Sequence, residues 1–101
     1  MVDFGKMKDL YELQKKARQI QKELKETEIE AKSNSGWVTV IFNGEQHMTE
    51  IDIDENALRP ENKRELEKEI KNTVSQAVAR AQAHAAEKMK GVMGNLNIPG
   101  L

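Results

Sequence analysis

Two long stretches of helical periodicity flank a short block of strand-like sequence, and the mismatch between them constrains what the chain can fold into. Leu10, Leu13, Ala17, Ile20 and Leu24 recur at spacings of three and four, which is one side of a helix. No Gly or Pro interrupts between Lys6 and Ser35. Near the other end, Leu66, Ile70, Val74, Ala77, Ala81, Ala85, Met89 and Val92 form a second stripe, rich in helix-favouring alanine, that Gly91 or Gly94 is expected to end. A helix of about 30 residues extends roughly 45 Å, whereas a strand of about seven covers roughly 23 Å. A small sheet between such helices leaves much of both stripes uncovered.

The strand block is legible piece by piece. Thr27, Ile29 and Ala31 alternate with Glu28, Glu30 and Lys32, a short edge strand whose charges discourage further pairing. Ser33-Asn34-Ser35-Gly36 is turn chemistry, and Trp37 to Phe42 is dense in β-branched and aromatic residues. Asn43-Gly44 predicts a two-residue hairpin turn into a return strand from Glu45 to Ile53. That turn pairs Phe42 with Glu45, Val40 with His47 and Val38 with Thr49. Val38, Val40, Phe42, Ile51 and Ile53 then share one face, and Trp37, Ile41 and Met48 the other. Asp54 reads as the cap of a short turn, and Arg59-Pro60-Glu61 as the start of the second helix.

The expected fold is α+β, in the order α-β-β-β-α, with a small antiparallel three-stranded sheet and two long helices. Residues 1–94 read as one domain and 95–101 as a C-terminal tail without periodicity. Two apolar sheet faces and overhanging stripes predict a symmetric homodimer with protruding helical arms, with Trp37, Ile41 and Met48 at the interface.

Several chemistries are excluded. The chain of 101 residues has no cysteine, so thiol nucleophiles, disulfides and zinc-thiolate sites are absent. No apolar run suits a membrane span or a secretory signal, and a cytoplasmic protein is expected. His84 and Glu87, spaced i, i+3, are too few for a metal site. No serine lies in a nucleophilic setting with a histidine and an acid. Asp52, Asp54 and Glu50 read as capping and surface acids. No enzyme, cofactor, metal or small-molecule substrate is expected.

Charge is the informative remainder. The formal net charge is only -1, but it is segregated. Residues 1–25 carry seven cations against four anions, residues 33–62 one against six, and residues 71–101 four against one. Lys15, Arg18, Lys22 and Lys25 are spaced three, four and three apart on the side of the first helix opposite its apolar seam. Such a row spans roughly 15 Å, enough for a few backbone phosphates. Doubled by a twofold axis it offers about eight phosphate contacts and a slope of about −7 in log K against log salt. A helix-binding protein adaptor, docking through the alanine stripe, is the alternative.

The order and spacing of several short motifs make the chain resemble the YbaB/EbfC family of nucleoid-associated proteins over essentially its full length. They are Met7, Gln14, Ile20 and Gln21 in the first helix; Gly36-Trp37-Val38-Thr39-Val40; Asn43-Gly44; Ile51-Asp52-Ile53-Asp54 before Leu58; Ala77 and Ala81; Glu87-Lys88-Met89; and Ile98-Pro99-Gly100. The chain departs at Gly94-Asn95, where a glycine pair is common, and in its lack of net basicity. The resemblance implies a tweezer-like dimer in the cytoplasm and nucleoid. It also implies binding of double-stranded DNA with little or modest sequence preference, and effects on DNA shape and gene expression. Attribution of binding to the arms falls here on the Lys15–Lys25 row and on Arg80, Lys88 and Lys90.

Overall fold

A computed structural model describes residues 4–96, with side chains from residue 5 to residue 91. The chain runs α1 (Phe4–Glu26), β1 (Ile29–Lys32), β2 (Val38–Phe42), β3 (Met48–Ile53), two 3-10 turns (Glu55–Ala57 and Pro60–Asn62), and α2 (Lys63–Leu96). The α-β-β-β-α order expected from periodicity is the observed one. The strands form one antiparallel sheet in the order β1-β2-β3.

The core lies between the sheet and α2. Ala31, Val38, Val40 and Phe42 alternate inward and meet Ala77, with Leu66, Ile70, Val74 and Val78 packed around them. Ala77 and Ala81 are fully buried. Small side chains on that face of α2 let the helix lie close to the strands. α2 covers β1 and β2, while β3 lies beyond its edge. Ile51 is therefore 46% exposed although it pairs with the fully buried Val40.

The hairpin corrects the expected turn. Asn43 N–H donates to His47 O at 2.9 Å and Gln46 N–H to Asn43 O at 3.1 Å, so the connection is longer than two residues. The left-handed position is Gln46, at φ 69°, rather than Gly44. A turn followed by a left-handed residue is the usual build of the longer hairpin loop. Asn43 Oδ1 accepts from the backbone N–H of Glu45 and of His47, which closes it. Val38 consequently pairs with Ile53 rather than Thr49, and Val40 with Ile51 rather than His47. This slip is an even number of residues, so Ile51 and Ile53 keep the face expected of them. A bulge at Thr49 then moves Met48 opposite Phe42, off the face predicted for it.

Trp37 also leaves its predicted face. It lies in the bend that follows Gly36 (φ +82°), before β2 begins at Val38, so strand alternation does not extend to it, and it packs against the core cluster. Ile41 alone of the three lies on the far face, between Glu30 and Glu50 of the neighbouring strands. The second helix begins in α geometry at Lys63, after the 3-10 turn that Pro60 opens. It runs through Gly91 and Gly94 to Leu96, past both expected stops. The remainder of the tail, from Asn97, lies outside the described residues.

Candidate nucleic-acid interface

The contacts that hold α1 to the sheet and to α2 gather at its C-terminal end. Gly44 N–H donates to Leu24 O at 2.7 Å. A Cβ on Gly44 would stand 2.8 Å from both Leu24 O and Leu24 Cδ2, so the hairpin and the helix meet backbone to backbone. Thr27 Oγ1 donates to Glu23 O at 2.6 Å and closes the last turn. Lys88 of α2 forms an ion pair with Glu23 at 3.6 Å. Beyond this root, side chains 5–19 are exposed, including Leu10 (60%) and Leu13 of the apolar seam. The chain is accordingly elongated, 71 × 23 × 18 Å.

Lys15, Arg18, Lys22 and Lys25 are all exposed on this free helix. Among the described residues none of them forms an ion pair; the two pairs present are Lys63–Glu67 and Lys88–Glu23. At roughly 100° per residue, three acids of the same helix, Asp9, Glu12 and Glu23, gather about 130° from the cation row, while Glu26 lies about 60° from it, at the C-terminal end beside Lys22 and Lys25. The positive side is therefore bordered by a single acid, Glu26, and lies about 140° from the mean direction of the seam.

The α2 cations are placed differently. Arg80 Nη1 donates to Glu30 O of β1 at 2.8 Å, which ties its guanidinium to the sheet edge. Lys88 is held by Glu23. Lys90 is exposed and lies outside both ion pairs. The seven residues singled out from sequence thus divide into a row of four open cations, two engaged ones and a lone lysine.

Acids mark two other parts of the surface. Glu30, Glu50 and Asp52 stand exposed on the far sheet face. An open groove of about 330 Å³ between the β1–β2 turn and α2 carries Lys32 and Lys68, but Glu65 and Glu69 oppose them. Among the described residues no cluster of three metal-ligating side chains occurs, and no helix is long and apolar enough to cross a membrane. One residue on the arm escapes a reading by charge alone: Tyr11 is 68% exposed and continues the cation row toward the helix N-terminus. Its spacing of four from Lys15 is the available signal.

A sheet backed by one helix, with a second helix standing free and positively charged on one side, defines a scaffold for presenting a cationic rod. Residues 1–96 match the YbaB/EbfC DNA-binding family, and the chain belongs to it. A nucleoid-associated protein of Syntrophobacter fumaroxidans is 34% identical over 98 residues, covering 97% of this chain and 89% of that protein. One of Afipia carboxidovorans is 32% identical, covering 100% of this chain and 97% of the relative. The crystal structure of an uncharacterized Helicobacter pylori protein, HP0035, superposes with a TM-score of 0.65 at 25% identity, covering 95% and 98% of the two chains. The family is one of nucleoid-associated DNA-binding proteins rather than enzymes.

Proposed function

We propose that this chain binds double-stranded DNA through α1, by phosphate neutralisation along Lys15, Arg18, Lys22 and Lys25, with little sequence preference. The observation that carries this reading is four exposed cations in line, outside any ion pair among the described residues, on a helix with one solvent-washed side. Backbone phosphates reward such a row, whereas base discrimination needs donors and acceptors aimed into a groove. Lys90 adds to the site, with Arg80 and Lys88 contributing once their internal partners are exchanged for phosphate. The acidic far face of the sheet keeps the duplex on the arms, and a duplex gripped by two arms changes its local shape.

A homodimer belongs to the same proposal. Met48 and Ile51 on β3, with Leu58 beside it, and the α1 seam are apolar surfaces that the single chain leaves open. Of Trp37, Ile41 and Met48, the methionine offers the most surface to a second copy, because the other two are already partly buried. The adaptor alternative loses support, because Ala77 and Ala81 of the alanine stripe are consumed beneath the chain's own sheet.

Gel-shift titration of a duplex at 50 and 200 mM salt tests the reading. Affinity is expected to fall about 10³-fold or more across that range for some eight phosphate contacts. Lys15/Arg18/Lys22/Lys25→Ala is expected to remove the shift while light scattering still reports a dimer. Unchanged binding in that variant overturns the arm assignment, and a monomer in the unaltered protein overturns the dimer.

A further inference from the structure

We propose that Tyr11 is the arm's non-ionic contact with the duplex, its ring lying against sugar and base edges beside the phosphates held by Lys15 and Arg18. This rests on the DNA-binding reading of α1 and adds to it a residue of a different chemistry. The chain has one tyrosine and one tryptophan. Trp37 and Phe42 are packed into the core, whereas Tyr11 stands 68% exposed. Packing within α1 does not claim it: it lies about 140° from the mean direction of the apolar seam at roughly 100° per residue. A second subunit covering Leu10 and Leu13 therefore leaves the ring open.

Its neighbours point to the ligand. Residues 11, 15, 18, 22 and 25 succeed one another at spacings of four, three, four and three along the same side. Lys8 and Lys15 stand three residues before and four after it, so ammonium groups flank the ring on both sides. An exposed ring among cations suits a polyanion whose backbone carries flat apolar surfaces within reach. It suits a second protein surface poorly, since such a surface must desolvate those ammonium groups as well. The row from Tyr11 to Lys25 extends about 21 Å. Cations along it hold phosphates, and the ring supplies a contact that salt does not screen.

The salt dependence separates these contributions. Tyr11→Ala is expected to weaken duplex binding about tenfold at every salt concentration, with the slope of log K against log salt unchanged. Tyr11→Phe is expected to bind within about twofold of the unaltered protein, because packing against sugar and base edges uses the ring rather than the hydroxyl. With one tyrosine in the chain, its ring proton signals are expected to shift and broaden as duplex is added to the unaltered protein, which tests the contact without a substitution. Wild-type affinity in Tyr11→Ala, a reduced slope, loss of the dimer in light scattering, or unmoved ring signals overturns the proposal. If the unaltered protein binds duplex while Tyr11→Ala is neutral, the arm assignment survives and the role of Tyr11 falls. If the unaltered protein binds no duplex at any salt, both fall.

Discussion

α1 and α2 carry similar positive charge but hold it in different ways. The second helix lies on the sheet, and its cations are partly spent there: Arg80 is bonded to Glu30 O and Lys88 is paired with Glu23. The first helix is joined to the body at Leu24 and Glu23, and its four-cation row faces solvent. Charge available to a ligand is therefore set by what surrounds each cation rather than by how many a segment contains. The helix that contributes most to the core contributes least to the open positive surface.

Substitutions can break or sharpen that contrast. The largest expected difference is between two multiple variants. Removing the α1 row is expected to cost 10³-fold or more in duplex affinity at about 50 mM salt, whereas Arg80/Lys88/Lys90→Ala is expected to cost about tenfold or less. A triple variant as weak as the quadruple one erases the distinction between the helices. Gly44→Ala comes next. Its Cβ meets Leu24 backbone, so thermal unfolding is expected to report a loss of about 1–3 kcal/mol. No change in melting temperature means the root of α1 is looser than its geometry indicates. Arg80→Ala is expected to cost about 1 kcal/mol of stability for the lost carbonyl bond, with a salt slope that barely moves. A slope that drops by a full phosphate contact makes Arg80 a ligand residue first. The smallest effect is expected for Glu23→Gln, which frees Lys88 and steepens the salt slope by at most about one contact, readable in the same titration.

The elements are legible in the sequence because their periodicities are local. Leu10 through Leu24 repeats as a helix and Val38 through Phe42 as a strand, and both form as read. The features that the sequence conceals depend on contacts between distant residues. Asn43-Gly44 has the composition of a tight hairpin turn, yet Gly44 is required by the approach of Leu24, and Gln46 takes the left-handed conformation. Strand alternation assigns Trp37 to the wrong face, because the tryptophan lies in the bend after Gly36, ahead of the first strand residue Val38. It assigns Met48 wrongly because the bulge at Thr49 exchanges faces. For the candidate site, the α1 row is visible as a spacing. The engagement of Arg80 and Lys88 is not, because Glu30 and Glu23 lie far from them along the chain.

The contact between Gly44 and Leu24 gives the first helix the mechanics of a boom pinned at its base. From Leu24 to its far end the rod measures about 30 Å, so a swing of about 10° at the pin displaces the tip roughly 5 Å. Successive phosphates on one strand are spaced about 3.4 Å along the duplex axis. In the binding mode proposed above, stiffness at this root decides whether an ammonium group near the tip stays with a single phosphate or slides to its neighbour, and with it how faithfully the grip tracks the pitch of the double helix.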